Sequence, residues 1–246
     1  MSDPTTPDIL LIHGSCHGAW CWDLVISALA AFGITARAID LPGRDGSATT
    51  LDDYAKAILS AANPGSVLVG HSAGGYAITA AAEADAKRFM GLIYLCAYLP
   101  SPGQSLGDMR RAGPSQPLLP AIRVAADRAS FSIDPALAPA VFYHDCPPKV
   151  AADATARLCP QPVLPQETPL WPKAAQSLPR HYIICDEDRA IPPAYQAQMA
   201  RVLPPQAVTH LDASHSPFLS MPDTLAARLA EILHQIRQSP LNEAKI

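Results

Sequence analysis

The sequence predicts an α/β protein: a mostly parallel central sheet with helices on both faces and an inserted helical cap. Three observations predict it. Short apolar runs alternate with stretches of helical periodicity through residues 9–99 and again through 179–246, the pattern of strands buried on both faces by crossover helices. Prolines recur from 100 to 172 and break that alternation. The stretch Gly70-His71-Ser72-Ala73-Gly74, with small residues at 70 and 74, separates a strand run from an alanine-rich helix. Residues 1–99 and 179–246 are therefore read as one core, and residues 100–178 as a cap inserted into it.

Taken in order, residues 9–13 are an apolar run that breaks into a glycine-bearing loop. Residues 20–32 carry apolar side chains at helical spacing until Gly33 stops them. Residues 34–40 alternate apolar and polar and enter the turn formers Leu41-Pro42-Gly43-Arg44-Asp45-Gly46. Helical periodicity over 51–62 precedes a buried-strand run at 67–69, and alanine, a strong helix former, fills 73–86. Further strands are expected at 90–99, 182–185 and 208–211, with an amphipathic helix over 225–236. Within 100–178 the prolines argue against regular sheet, while apolar clusters at 137–143 and 150–158 leave room for short helices. The segment keeps its aromatic residues and has no low-complexity character, so it reads as a cap over the sheet rather than a disordered linker.

Composition narrows the class. The 246 residues are 49% hydrophobic, with 18 basic against 22 acidic side chains and a net charge of −4. That balance gives no electrostatic reason to expect nucleic acid or an anionic membrane as partner. Apolar runs fall well short of the roughly 20 residues that a spanning helix needs. Cysteines 16, 21, 96, 146, 159 and 185 show no Cys-x-x-Cys spacing and read as packing thiols in a reducing compartment. Residues 1–8 are polar and acidic, without the basic and apolar regions of a secretory leader, so a cytoplasmic location is expected.

The chemistry centres on Ser72. A serine hydroxyl is a poor nucleophile at neutral pH and needs exposure and a neighbouring base. Gly-x-Ser-x-Gly between a strand and a helix supplies the exposure, because small residues let the chain reverse sharply and hold the serine at the tip of a strained elbow; this is the nucleophile elbow of the α/β-hydrolase fold. Charge on the tetrahedral intermediate must meet backbone N–H groups. One expected donor is Ala73, directly after the nucleophile. The other is Ser15, in the loop His13-Gly14-Ser15-Cys16-His17-Gly18. His13, Cys16, His17 and Cys21 also suggest a zinc site, but their spacing matches no standard pattern and no distal ligand pair completes it, so no metal or organic cofactor is expected.

The base should be a late histidine, since the fold orders its triad as nucleophile, acid, histidine. His144 falls in the cap, His181 and His210 in strands, and His234 in the last helix. His215, in Asp212-Ala213-Ser214-His215-Ser216-Pro217, alone occupies a loop after the last strand. For the acid, strand 182–185 runs into Asp186, Glu187 and Asp188. A carboxylate that orients the imidazole must sit in the turn rather than cap the strand end, which favours Asp188 over Asp186.

These residues resemble the plant-type methyl esterase and hydroxynitrile lyase branch of the α/β hydrolases. The resemblance runs nearly the full length and is carried by His13-Gly14-Ser15-Cys16-His17-Gly18-Ala19-Trp20-Cys21-Trp22 and by Tyr182-Ile183-Ile184-Cys185-Asp186-Glu187-Asp188-Arg189-Ala190-Ile191-Pro192, with a looser likeness around Cys146-Pro147-Pro148. It implies that the acid is Asp188. Lyases of the branch carry threonine and lysine where this chain has Gly14 and Ser216, so the resemblance implies the esterase side, with a small-molecule ester as partner and a homodimer as an assembly common in the family. The Ser216-Pro217-Phe218 stretch departs from the plant pattern and reads more like bacterial relatives, so plant hormone esters do not follow as substrates. Cyanohydrin cleavage and a low-turnover ligand receptor are the alternative functions. Among cap residues, Leu118, Leu119, Phe131, Phe142 and Trp171 are the expected apolar lining.

Overall fold

The structure, a computed structural model, describes residues 9–239; residues 1–8, on which the expected location rests, lie outside the described residues. The first half of the core comprises β1 (Ile9–Ile12), α1 (Asp23–Ala31), β2 (Ala36–Ile39), α2 (Leu51–Ala61), β3 (Ser66–His71), α3 (Gly74–Ala84) and β4 (Phe89–Leu95). The chain then leaves the sheet for α4 (Leu106–Ala112), β5 (Ile122–Val124), β6 (Ser130–Ile133), α5 (Ala138–Phe142), α6 (Pro148–Ala156), β7 (Gln161–Pro162) and α7 (Leu164–Glu167). It returns through β8 (Arg180–Cys185), α8 (Pro193–Ala200), β9 (Val208–Leu211), α9 (Pro217–Ser220) and α10 (Pro222–Arg237).

Six strands form one sheet in the order β2-β1-β3-β4-β8-β9, and every neighbouring pair is parallel. Their near-continuous apolar character follows from burial on both faces. Leu10, Ile12, Leu68, Leu92, Tyr94 and Ile184 pack on one face against α2, α3 and α8. Ile9, Leu11, Val67, Val69, Ile93 and Ile183 pack on the other against α1 and α10. α2 starts at a capping box in which Thr50 and Asp53 satisfy each other's backbone N–H. α10 begins three residues earlier than its periodicity suggests, because Pro222 at its first turn is already set for helical φ and gives up an N–H that has no partner there.

Two expectations are corrected. β4 ends at Leu95 rather than at residue 99: Cys96 turns the chain with φ +35°, and the Tyr98 N–H then donates to the Ser72 carbonyl at 3.1 Å. The segment between β4 and β8 is not free of sheet, since β5, β6 and β7 form a three-stranded antiparallel sheet. β5 and β6 fit the stretch between Pro120 and Pro135, which contains no proline. Pro162 sits on the edge strand β7, opposite Ser130, where a missing N–H is tolerated. No helix among the described residues is long and apolar enough to cross a membrane.

The junction of β3 with α3 leaves no room for a side chain at Gly70, where a Cβ would stand 2.6 Å from the Gly74 carbonyl oxygen. Gly70→Ala should therefore lower unfolding stability by about 1–3 kcal/mol, the usual cost of overpacking. A reduced urea midpoint would show this, and an unchanged midpoint would mean that the junction yields.

Candidate active site

Ser72 sits between the end of β3 and the start of α3 with φ +53°, a left-handed conformation that strains any residue with a Cβ. Three hydrogen bonds hold it: its N–H donates to the Leu95 carbonyl at 3.1 Å, and its own carbonyl accepts from Gly75 N–H at 3.2 Å and Tyr98 N–H at 3.1 Å. Glycines make the reversal sterically feasible. A Cβ at Gly74 would stand 2.9 Å from the carbonyl oxygens of Ile12 and His13, and one at Gly14 would stand 2.7 Å from His71 Nδ1 and 2.8 Å from Ser72 Cβ. Gly14 therefore lets the β1 loop close onto the elbow.

His215 follows β9, and Asp188 lies in the turn after β8. Both are buried, and His215 Nδ1 is 2.7 Å from Asp188 Oδ2. A carboxylate can only accept, so the proton lies on Nδ1 and the Nε2 lone pair is left free. Asp188 is itself fixed. Its Oδ1 accepts from the N–H groups of Ala190 at 2.7 Å and Ile191 at 2.9 Å, and Oδ2 also accepts from Gln196 Nε2 at 2.8 Å. Asp186 points elsewhere, to His210 on the exposed face at 2.9 Å, and Glu187 is exposed. His71 Nε2 donates to the His215 carbonyl at 2.9 Å, and its ring lies 4.6 Å from that of His215.

Ser15 and Ala73 bring two backbone N–H groups to the elbow, and among the described residues neither donates to another protein group. Ser15, Ser72, Ala73 and His215 line one cavity. Asp188 stands behind His215. Leu118, Phe131 and Phe142 contribute to the wall as expected, whereas Leu119 and Trp171, 51% and 65% exposed, face solvent instead. The sequence reading missed several residues at the site. Tyr98, Leu106, Arg110, Gln166 and Ile191 also line the cavity, and Gln196 steadies Asp188. One signal was available for two of them: Ser105-x-x-Asp108 is a capping box, which places Leu106 and Arg110 one turn apart on the same side of α4.

The sequence pattern of the alpha/beta hydrolase family matches residues 9–228. A pyrethroid hydrolase of Sphingobium wenxiniae is 35% identical to the chain, over 92% of this chain and 88% of its own. The chain belongs to the alpha/beta hydrolase family. Methyl jasmonate esterase 1 of Vitis vinifera is 28% identical over 91% of this chain and 95% of its own. Among solved structures, a pyrethroid hydrolase from Sphingobium faniae JZ-2 superposes with a TM-score of 0.81 at 32% identity, covering 96% of this chain and 99% of that one.

In this alpha/beta hydrolase the histidines and cysteines weighed as zinc ligands have other partners. His13 donates from Nδ1 to the Gly14 carbonyl at 2.8 Å and accepts the Leu41 N–H on Nε2 at 3.0 Å. His17 donates from Nδ1 to the Ser15 carbonyl at 2.9 Å and accepts the Tyr143 hydroxyl on Nε2 at 2.8 Å. The Cys16 thiol points to the Phe131 carbonyl, and Cys21 packs in the core beneath the sheet. Among the described residues, the metal-ligand types that do gather are His71, Cys96 and His215, with ligating atoms within 4.8 Å of one another. Of these, His215 Nδ1 is engaged by Asp188.

Burial holds His13, His17 and His71 neutral, because each would lose hydration as a cation. It lowers His13 to about 4 and His17 to about 3, and takes His71 well below its usual value. Their unfolded counterparts protonate near pH 6.5. The unfolded state thus binds more protons below that pH, so the stability these residues contribute is complete above about pH 6.5 and is lost progressively toward pH 4. The ring proton shifts of His13 and His17 should stay flat from about pH 8 to about pH 5 while the thermal midpoint declines below about pH 6.5. Titration of either ring near 6.5 would contradict the assignment.

Proposed function

We propose that the chain is a serine hydrolase that cleaves a small, largely apolar carboxylic ester through an acyl-enzyme. The observation that carries this reading is the buried, hydrogen-bonded His215–Asp188 pair, of which His215 lines the cavity together with Ser72. His215 Nε2 takes the Ser72 proton as the hydroxyl oxygen attacks the ester carbonyl, and Asp188 stabilises the imidazolium that forms. The oxyanion accepts hydrogen bonds from the Ser15 and Ala73 N–H groups. His215 returns the proton to the leaving alcohol, then activates a water that hydrolyses the acyl-enzyme. No step calls for a metal or organic cofactor. Residues 100–178 act as the cap, contributing Leu118, Phe131 and Phe142 to the acyl wall.

The relatives support ester cleavage by their names, a pyrethroid hydrolase and a methyl jasmonate esterase. Cyanohydrin cleavage stands second, because Arg110 brings to the cavity a cation in place of the lysine absent at Ser216; cyanide release from mandelonitrile at a rate matching ester turnover would favour it. Six free thiols accord with a cytoplasmic setting, and sedimentation would test the homodimer that the family resemblance implies.

A panel of p-nitrophenyl and methyl esters tests the assignment. Ser72→Ala should lose at least about a thousandfold in kcat, and Asp188→Asn roughly a thousandfold or more, because an amide opposite His215 favours the wrong tautomer. Asp186→Asn, which alters an exposed pair, should change kcat by less than about twofold. Equal rates for wild type and Ser72→Ala would overturn the reading.

A further inference from the structure

Most of the wall around Ser72 is apolar, yet one side presents a guanidinium. Arg110 sits on α4 one turn after Leu106, and both side chains line the cavity. Its Nε is closed off from solvent and has no hydrogen-bond partner. The carboxylates near α4 do not serve it. Asp108 and Glu167 both engage the next residue, Arg111, at 2.8 Å and 3.0 Å on the exposed side of the helix. Asp188 is saturated by Ala190, Ile191, Gln196 and His215. Among the described residues, Arg110 makes no ion pair.

A second donor lies beside it. Tyr98 lines the same cavity, and among the described residues its hydroxyl forms no hydrogen bond with another side chain or carbonyl. Burial keeps the phenol protonated, against the opposing field of the nearby Arg110, so it remains available to donate. A planar, permanently charged fork with a hydroxyl alongside matches the two oxygens of a carboxylate. A wall built for wholly apolar esters alone would have no use for a charge whose Nε is buried without a partner.

We propose that Arg110 and Tyr98 form an anion subsite within the ester cavity, and that the preferred substrates are esters carrying a free carboxylate elsewhere in the molecule, such as half-esters of short dicarboxylic acids. The proposal rests on the ester-hydrolase reading and sharpens its substrate class: an apolar linker between the scissile ester and an anionic end. Hydrolysis then converts half-ester and water into a dicarboxylate, an alcohol and a proton, with the distal carboxylate unchanged.

The test compares monomethyl glutarate with methyl hexanoate, two methyl esters of similar length of which one carries the charge. Wild type should favour the charged ester by at least about tenfold in kcat/KM, mainly through KM. Arg110→Gln should cut that ratio by at least about tenfold, Arg110→Lys should restore part of it, and Tyr98→Phe should reduce it by less. A wild-type ratio near one, or a ratio that Arg110→Gln leaves unmoved, would overturn the subsite. Calorimetric binding of glutarate to the Ser72→Ala protein, with and without Arg110→Gln, reads the subsite without turnover. Binding that weakens at least about tenfold on adding Arg110→Gln supports it, and no binding overturns it. If instead Ser72→Ala retained full ester turnover, the hydrolase reading would fail by itself. Melting curves identify any variant that does not fold, and the more conservative Arg110→Lys then decides through the same ratio.

Discussion

A reversal with no space for side chains governs this molecule. β3 must stop, turn through Ser72 in a left-handed conformation and start α3 at once, and the cost of that strained residue is offset by three backbone hydrogen bonds to its neighbours. Two of these bonds, with the Leu95 carbonyl at the end of β4 and with the Tyr98 N–H just beyond it, tie β4 to the elbow. Glycines at 14, 70 and 74 bring the β1 loop and the first turn of α3 within reach of the same point. Because the strands are parallel, their carboxyl ends converge on one edge of the sheet. Ser15 follows β1, Ser72 follows β3, Asp188 follows β8 and His215 follows β9.

Electrostatics at that edge depend on dryness. Asp188 is buried with a full set of donors, which fixes the imidazole of His215 in one tautomer and orientation. The other histidines around the elbow stay neutral because burial strips their cations of water. They serve as hydrogen-bonded packing: His71 supports the backbone of His215, and His17 links the β1 loop to Tyr143. A cluster of imidazoles thus creates no cluster of charge beside the candidate base. The cation at the cavity wall is Arg110.

The excursion between β4 and β8 provides the rest of the cavity wall. Its short helices and small antiparallel sheet place Leu106, Leu118, Phe131 and Phe142 around Ser72, and Gln166 reaches across to the Ser15 hydroxyl at 2.6 Å. The prolines that interrupt this segment stiffen the connections between short pieces, so its shape rests on packing against the sheet edge rather than on long regular elements.

Local chemistry was legible in the residues themselves. A glycine-flanked serine between an apolar run and an alanine-rich stretch has few conformations open to it, and the order of Ser72, Asp188 and His215 along the chain limited the partners. The parallel sheet was equally readable, since strands buried on both faces leave continuous apolar runs. What depended on through-space packing was not. In the small sheet, β6 pairs with β7 about thirty residues further along the chain, and no local pattern announces such a pairing. Leu119 and Trp171 looked like lining but face solvent, while Tyr98, Arg110 and Ile191 turn inward. Sequence by itself determined the elbow at Ser72 and the sheet, because backbone sterics and hydrophobic periodicity act over a few residues. The tertiary structure alone decided which side chains of the excursion face Ser72, because that choice depends on contacts between segments far apart in the chain.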